Sequence, residues 1–343
     1  MAVQDAGTRA AADHFRLGLA LALASALAFG CSGPFAKALM GAGWSPTAAV
    51  LARLAGGALV MAVVATAIRR DWIRHALRHP GTVVAYGAIP IAGAQLFYYN
   101  AVAHLSVGVA LLLEYTAPIL VVGWVWATSR RRPTTLTLAG VAAAIAGMML
   151  VLDVFAGAHI NLVGVAWGLA AAVCAACYFV MSAKAGSHSG SDGVDPITLS
   201  AAGLIVGSGV VALLGVSGVM PLTFTANDTV VAGRTVSWIV PVIALGVIAT
   251  AIAYTLGIMG IARLRPRFAS LVGLSEVMFA VLAAWLLVGE AITATQAVGG
   301  LVVLAGLALA RAGDRSEAVG EATWPDAPVV DPEADPEPEK ASC

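Results

Sequence analysis

The segment Leu105–Leu150 has the sequence LSVGVALLLEYTAPILVVGWVWATSRRRPTTLTLAGVAAAIAGMML, and a related segment, Leu264–Leu309, follows later in the chain. The first copy ends its leading apolar run in Arg130-Arg131-Arg132, whereas the second ends it in Gly289-Glu290-Ala291. Related segments with different charge at matched positions predict an internal repeat whose halves lie in different surroundings. The ungapped matches, all at the offset that separates Leu105 from Leu264, include Leu105/Leu264, Trp126/Trp285, Thr134/Thr293, Gly140/Gly299, Gly147/Gly306 and Leu150/Leu309, and the register extends back to Gly87/Gly246.

The composition is that of a membrane protein. Hydrophobic residues make up 60% of the 343 residues and charged residues 11%, with a mean hydropathy of +0.90. A soluble domain carries about a quarter charged residues. The formal net charge is zero, so nothing in the composition points to a nucleic-acid partner. We therefore expect a multi-pass protein of a cell membrane, with the lipid bilayer as its main surrounding.

Ten apolar runs predict ten membrane spans. Each has about 19–26 residues, which is enough to cross a hydrocarbon core of about 30 Å as a helix. Lipid offers no hydrogen-bond partners to the backbone, so the runs should be helical. The predicted fold class is an all-α integral membrane protein with ten transmembrane helices. The spans lie near residues 17–40, 47–68, 82–103, 106–128, 134–152, 161–184, 196–217, 237–262, 267–288 and 291–312.

The first run is interpreted as a spanning helix. A cleavable signal peptide has an apolar region of about 7–15 residues, and Leu17–Met40 is longer. Ala28-Phe29-Gly30-Cys31 has a weak likeness to a lipoprotein cleavage site, but Phe29 does not fit such a site and the apolar sequence continues. The four cysteines do not form a secreted disulfide framework, since three of them lie in apolar spans.

The distribution of basic residues predicts the orientation. With the N-terminus in the cytoplasm, all but one of the loop arginines and lysines fall on the cytoplasmic side, and the exception is Arg234. This asymmetry follows the positive-inside rule and places both termini in the cytoplasm. The cytoplasmic basic residues are Arg69, Arg70, Arg74, Arg78, Arg130, Arg131, Arg132, Lys184, Arg263, Arg265, Arg267, Arg311 and Arg315.

Five helices in each half make the second half inverted relative to the first. We predict a cytoplasmic segment 1–16, a first five-helix repeat 17–152, an inverted repeat 161–312 and a disordered acidic, proline-rich cytoplasmic tail 313–343. Inverted repeats are typical of secondary transporters, because exchanging the conformations of the two halves changes which side is open.

At this point the chain resembles the ten-helix EamA branch of the drug/metabolite transporter (DMT) superfamily. The resemblance rests on Trp285–Glu290 with Thr293, Gln296, Gly299 and Gly306, on Arg53 in the second span, and on Phe29-Gly30, Pro34 and Lys37 in the first. It covers about residues 14–312. It implies a secondary carrier of the kind that often exports amino acids or other small metabolites, without any cofactor.

One departure from that family concerns the ninth span. This chain has Glu276-Val277 where members often have a glutamate followed by a proline. The missing proline predicts a ninth span without a kink.

Two glutamates inside the predicted spans are the leading site candidates. Glu114 and Glu276 both fall about 12–13 Å into their spans, near the bilayer midplane. Intramembrane carboxylates usually face a cavity or a partner. Pro118 has no N–H to bond the Glu114 carbonyl, so this carboxylate and a freed carbonyl coincide. The alternative is a protonated glutamate bonded to a neighbouring helix.

Polar residues on the third and eighth spans form two further candidate stripes. Gln95 matches Tyr254 in the repeat register, and Tyr98 shares the helix face of Gln95. These side chains suit the binding of a zwitterion, and interhelical hydrogen bonding explains them equally well. Arg53 is predicted to pair with Glu114 or another acid, or to extend outward. Lys37 lies near the outer end of its span, against the positive-inside trend, which makes it a functional candidate.

Other motifs favour structural roles. Cys174-Ala175-Ala176-Cys177 has redox spacing but lies mid-helix among alanines, so small-residue packing explains it. His75 and His79 lack matching ligands, so no metal is expected.

The sequence therefore predicts an alternating-access carrier rather than an enzyme, most simply an exporter of a small polar, amino-acid-like metabolite. Uptake or drug efflux are alternatives within that class. A non-transporting scaffold or an intramembrane enzyme is the alternative outside it. A homodimer is compatible with the sequence.

Overall fold

The computed structural model describes residues 2–105, 107–130, 132–151, 161–187, 194–231, 233–264, 266–288 and 293–322. Several predicted features lie outside these residues or have side chains outside the description: Arg131, Arg265, Gly289 and Glu290, the segment Pro325–Glu339, and the side chains of Lys37 and Trp285.

The first half of the chain is helical throughout its described part. Two of its predicted spans are divided: the first at Cys31, and the fourth at Tyr115–Thr116. A segment of π-helix, Gly87–Gly93, lies within the third. The helices are α1 (Ala2–Gly30), α2 (Ser32–Gly41), α3 (Pro46–Ile68), α4 (Trp72–Arg78), α5 (Pro80–Tyr86), α6 (Ala94–His104), α7 (Val107–Glu114), α8 (Ala117–Ser129) and α9 (Thr135–Val151).

The second half adds seven helices and a small hairpin to the described structure. A second π segment, Ala244–Ile252, divides the eighth predicted span. The elements are α10 (Leu162–Ser187), α11 (Pro196–Val216), β1 (Thr229–Val231), β2 (Arg234–Val236), α12 (Ile239–Ile243), α13 (Ala253–Ile261), α14 (Pro266–Gly273), α15 (Ser275–Val288) and α16 (Ala294–Ala322).

Seven helical segments in the described ranges are long and apolar enough to cross a membrane. The fifth and tenth predicted spans are present as shorter apolar helices, Thr135–Val151 and Ala294–Ala310, and the ninth is divided into α14 and α15. The prediction of a multi-pass helical membrane protein is therefore confirmed, whereas the count of ten stays a prediction. The seven segments are Asp13–Gly41, Pro46–Ile68, Pro80–Ala101, Val109–Ser129, Leu162–Lys184, Pro196–Val216 and Ile239–Ile261.

The same capping device opens α3 and α11. Ser45 accepts a hydrogen bond from the Ala48 N–H before Pro46, and Asp195 accepts from two N–H groups before Pro196. A side-chain acceptor at the N-cap satisfies an N–H group that would otherwise be unpaired at the helix start. A proline at the first helical position has no N–H group that needs a partner. The second cap also joins helices, since Asp195 forms a 2.7 Å ion pair with Arg69.

The two π segments occupy matched positions in the repeat. The second segment corresponds, by the repeat offset, to residues 85–93, and the first segment is Gly87–Gly93. In the first, Pro90 removes a backbone donor and shifts the bonding register. In the second, the Thr250 hydroxyl donates to the Leu245 carbonyl, five residues back, at 2.7 Å. Each π segment packs on a capped helix, the first on α11 and the second on α3.

Helices α9 and α16 pack antiparallel through four glycines. A Cβ at Gly140 would lie 2.7 Å from the Gly306 carbonyl oxygen, and a Cβ at Gly147 would lie 2.7 Å from that of Gly299. Gly140 matches Gly299 in the repeat, and Gly147 matches Gly306. The contacts are crossed relative to these matches, since Gly140 meets Gly306 and Gly147 meets Gly299. Small residues let helix backbones approach closely in lipid, which explains the glycines.

The hairpin β1–β2 and the segment before it cover one end of the bundle. Thr225 donates to the Ala42 carbonyl at 2.7 Å, and the Trp44 indole donates to the Thr225 carbonyl at 2.8 Å. We call this end, where α3 begins, the hairpin end. The opposite end, where α3 finishes at Arg69 and where Gly18 packs on Arg263, is called the arginine end.

Two sequence-based boundaries differ from the structure. The first span divides at Cys31, where the chain turns between α1 and α2. The last helix continues to Ala322, past the predicted start of the tail at residue 313. Alanine, arginine and glutamate in this stretch are good helix formers, which accounts for the longer helix.

Candidate substrate site

The first wall of the site is the break between α7 and α8. Helix α7 ends at Glu114, and the turn Tyr115–Thr116 separates it from α8. Pro118 cannot donate to the Glu114 carbonyl. The Thr116 hydroxyl instead turns back and donates to the Leu113 carbonyl at 2.6 Å. The break therefore leaves the carboxylate and the carbonyl of Glu114 together at the end of a half-helix.

A second break divides the ninth span at Leu274. The prediction of an unkinked helix, based on Val277, is wrong. The Ser275 hydroxyl donates to the Val272 carbonyl at 2.7 Å, which competes with the regular helical bonding there. Glu276 consequently lies in the first turn of α15.

The two breaks are equivalent in the repeat. Ser275 and Thr116 are matched by the repeat offset, and each hydroxyl donates to the carbonyl three positions before it. A hydroxyl thus makes the same local bond in both copies, with a proline in one copy and without it in the other.

Both breaks border a cavity of about 1020 Å³. The cavity extends from the hairpin end, where Asp228 and Gly233 line it, to Ala22, Ile261 and Ala269 deep in the bundle. These three residues belong to a buried apolar cluster that borders the cavity at the arginine end. The cluster consists of Ala22, Ile261, Leu264, Phe268, Ala269 and Val272, with Phe15, Tyr178 and Phe179 against it.

Arg53 lines the same cavity from α3. Its side chain is buried, with 4% of the residue exposed. Its nitrogens donate to the Gln95 side-chain oxygen at 2.9 Å, the Thr250 hydroxyl at 3.2 Å and the Ala249 carbonyl at 2.9 Å. These bonds replace the predicted ion pair with Glu114, and they tie α3 to the third and eighth spans.

Aromatic rings line another part of the cavity. Tyr254 packs edge-on against Phe29, with ring centroids 4.9 Å apart, and against Tyr178 at 5.8 Å. Tyr98 packs edge-on against Tyr99 at 5.5 Å. Edge-to-face contacts hold the rings in fixed orientations, so their hydroxyl groups are positioned before any ligand arrives.

The structure brings six of the seven predicted site residues to this cavity. Lys37 is the exception, because its side chain is outside the description, although its helix α2 forms one wall. The six lining residues are Arg53, Gln95, Tyr98, Glu114, Tyr254 and Glu276.

Several lining residues escaped the sequence analysis, and three of them are Tyr115, Tyr178 and Asp228. Tyr115 follows Glu114 directly, so the helix break could have drawn attention to it. Tyr178 lies among alanines and cysteines, with no sequence signal; its hydroxyl oxygen is buried and has no hydrogen-bond partner among the described residues. Asp228 precedes the hairpin, which alternating residues around Gly233 could have predicted.

The cysteines and histidines of the described ranges take no part in the cavity lining. Cys174 is buried, with its sulfur packed on Gly93. The His75 and His79 rings meet edge-on at the arginine end, with centroids 5.4 Å apart. Among the described residues no group of three or more histidine, cysteine or acidic side chains could hold a metal ion.

A helical membrane protein with a cavity between broken helices, and with charged side chains in the cavity wall, has the organisation of a transporter. The profile of the EamA-like transporter family matches residues 16–153 and 162–312. The chain belongs to that family, and so to the drug/metabolite transporter superfamily, as the resemblance predicted. It is a transporter and not an enzyme.

The chain is also similar to individual proteins. It is 28% identical over 250 residues to the threonine/homoserine exporter RhtA of Salmonella typhimurium (strain SL1344), and 27% identical to that of Escherichia coli (strain K12). Each match covers 71% of this chain and 74% of the relative. One solved crystal structure, at 20% identity, matches with a TM-score of 0.69 over 90% of this chain and 99% of its own, which shows the shared fold.

Proposed function

We propose that this protein exports a small polar metabolite of the amino-acid type by alternating access. The observation that carries the proposal is the cavity lined by Arg53 and by two intramembrane carboxylates, Glu114 and Glu276. Charged groups within a bilayer are costly and mark substrate or ion pathways. The similarity to the RhtA exporters of threonine and homoserine supports both the direction and the substrate class.

In this proposal Glu114 binds a substrate ammonium group or a coupling proton. Gln95, Tyr98 and Tyr254 hold the remaining polar groups of the substrate, with Glu276 as the second carboxylate. Their common lining of the cavity and the fixed tyrosine rings support these roles. The role of Lys37 stays a prediction.

We assign ten spans to two inverted five-helix repeats, residues 17–152 and 161–312. Three observations support the symmetry. The π segments and the helix breaks recur at the repeat offset, and the glycines of α9 and α16 pack in crossed pairs. Crossed pairs are what a twofold axis between two equivalent helices produces.

We assign the arginine end to the cytoplasm, together with both termini and the predicted tail 313–343. The described basic residues at this end, among them Arg69, Arg74 and Arg130, support the assignment through the positive-inside rule. The hairpin end then faces outward. A homodimer stays a prediction.

The described conformation is assigned as outward-open. Gly273 is covered by the Phe179 ring, since a Cβ there would lie 2.8 Å from it. Both Gly273 and its equivalent in the first repeat, Glu114, line the cavity. The cavity reaches Asp228 and Gly233 at the hairpin end, whereas a buried apolar cluster with Leu264 and Phe268 lies at the arginine end, and this supports the assignment. In an inverted repeat, an exchange of conformations between the halves would open the other end.

Export by living cells tests the proposal. Cells that express the protein are loaded with a threonine-containing dipeptide, and released L-threonine is measured over time. We expect faster release than from cells that express equal amounts of the Glu114→Gln variant. Equal release from the two strains would contradict the proposal.

A further inference from the structure

The position of Arg53 is fixed by close packing of α3 on the second π segment. Gly56 lies against Gly246, where a built Cβ would approach backbone within 3.2 Å. This approach brings the Arg53 side chain to the Ala249 carbonyl and the Thr250 hydroxyl. The guanidinium is therefore held in place by the bundle itself, before any ligand is present.

The guanidinium has only neutral acceptors around it. Gln95, Thr250 and Ala249 each accept one bond, which uses three of the five N–H groups of an arginine. The Tyr99 side chain also lies beside the guanidinium. No described carboxylate oxygen lies within 4.0 Å, and the ion pairs in the described ranges are Arg16–Asp13 and Arg69–Asp195.

A buried cation whose hydrogen-bond acceptors are all neutral favours the binding of an anion. Removing a charge from water is expensive unless an opposite charge and hydrogen bonds replace the water. Arg53 borders the cavity, so a ligand that enters from the hairpin end can reach it. The remaining N–H groups can serve a carboxylate, which arginine binds in a charge-assisted and often bidentate manner.

The opposite charges of the cavity lie on other helices. Glu114 ends α7 and Glu276 begins α15, and both interact electrostatically with Arg53 beyond ion-pair distance. A ligand with one positive and one negative group can therefore satisfy both sides at once. A ligand with only one of the charges leaves the other side uncompensated.

We propose that Arg53 is the anchor for the α-carboxylate of the substrate, and that the carboxylates of Glu114 and Glu276 take its ammonium group. The substrate class is thereby zwitterionic α-amino acids, as opposed to amines, amides or neutral metabolites. This inference rests on the proposed function and adds the orientation of the substrate to it.

The experiment compares three probes with the full-length purified protein in proteoliposomes. L-Threonine has both charges, L-threoninamide lacks the carboxylate, and N-acetyl-L-threonine lacks the ammonium. Their half-inhibitory concentrations are measured against the uptake of labelled L-threonine into threonine-loaded vesicles. We expect L-threonine to be at least tenfold more effective than either analogue with the wild-type protein.

The anchor is then removed or neutralised. In Arg53→Gln we expect the half-inhibitory concentration of L-threonine to rise at least tenfold. The value for L-threoninamide should change no more than twofold, so the preference for the acid over the amide disappears. Arg53→Lys keeps the charge and should keep part of the preference. Gln95→Glu supplies an internal carboxylate at the acceptor that lies 2.9 Å from Arg53 and should also abolish the preference, without removing the arginine.

The matched control is Arg263→Gln. Arg263 donates to the Met259 carbonyl at 2.7 Å and does not line the cavity, so its loss should leave the preference for the acid intact. The anchor assignment is overturned if wild-type protein accepts acid and amide equally, or if folded Arg53→Gln or Gln95→Glu protein still prefers the acid. Absence of transport and inhibition with all three probes would instead overturn the proposed function, and the anchor with it.

Discussion

Glu114 is the residue on which the account depends most. It combines a carboxylate, a carbonyl without its helical donor and a place in the cavity lining. Glu276 shares the cavity but begins a half-helix instead of ending one. The two acids are therefore unlike in local structure, although the breaks that position them are equivalent.

We predict that Glu114→Gln reduces L-threonine flux at least about tenfold. The amide keeps the shape of the side chain but loses the charge, and a hydrogen bond to a charged group contributes about 1.5–3 kcal/mol. The measurement is initial uptake into threonine-loaded proteoliposomes. Size-exclusion profile and melting temperature should match the wild-type values. A folded variant with full flux would remove Glu114 from the site.

Sequence patterns drew attention to three residues that line the cavity, because charges in an apolar run are conspicuous. Glu114, Glu276 and Arg53 stand out for this reason alone. Their partners could not be predicted, since Arg53 bonds to Thr250 and Ala249, which lie far along the chain in the other repeat. The proposed pairing with Glu114 failed because neutral acceptors on the π segment lie closer.

At the scale of elements, the spans followed from hydropathy, whereas their interruptions did not. A proline rule predicted the break after Glu114 and missed the one at Leu274, where a serine hydroxyl bonds back to the helix. The π segments contain Pro90 and Thr250, but a single proline or threonine in an apolar run does not by itself predict a π segment. Hydropathy also gave no sign that the loop before the eighth span folds into a hairpin at one end of the cavity.

Helix α2 offers a test of the cavity through Gly33. This glycine lines the cavity, and a Cβ there would have no atom within 4 Å. We predict that Gly33→Leu fills the free space and lowers threonine flux at least about tenfold, while Gly33→Ala retains most of it. Pro34 restricts the backbone of residue 33 in both variants alike. The difference in flux between them therefore reports the volume of the side chain.

The matched control for this test is Gly209→Leu. Gly209 is also a helical glycine with no neighbour within 4 Å, but it is exposed on the outside of the bundle and does not line the cavity. The Gly209→Leu variant should show the same threonine flux as the wild-type protein. Normal flux in Gly33→Leu would contradict passage of the substrate along α2.

The contact between α9 and α16 is expected to matter for stability. A Cβ at Gly140 would lie 2.5 Å from the Ala310 backbone nitrogen, so the helices must separate. Overpacking of this kind costs about 1–3 kcal/mol. We predict a lower melting temperature in detergent for Gly140→Ala, and an unchanged one for Gly123→Ala, which meets open space. Equal melting temperatures would rule out the close packing.

At the scale of the whole molecule, the internal repeat was readable from the sequence and its geometry was not. The constant offset between the two copies identified equivalent positions, and the π segments and helix breaks occupy them. Which end of the cavity is open could not be predicted, because both halves contain the same kinds of residues. The difference lies in tertiary packing, such as that of Leu264 and Phe268 in the apolar cluster at the arginine end.

The proposed orientation predicts which end can be labelled from outside. In a variant without its four native cysteines, Asp228→Cys should react with a membrane-impermeant maleimide on intact cells. Arg74→Cys should react only after permeabilisation. Both residues are exposed, and they lie at opposite ends of the bundle. The side of the membrane on which each residue lies therefore decides whether the reagent can reach it. The reverse pattern would invert the assigned topology.

The most direct measurement of the central claim is the rate of L-threonine counterflow into proteoliposomes as a function of substrate concentration. The account predicts a rate that saturates, is inhibited by L-homoserine and is lost in Glu114→Gln. A rate that rises linearly with concentration and equals that of protein-free liposomes would contradict the claim that this cavity carries an amino acid across the membrane.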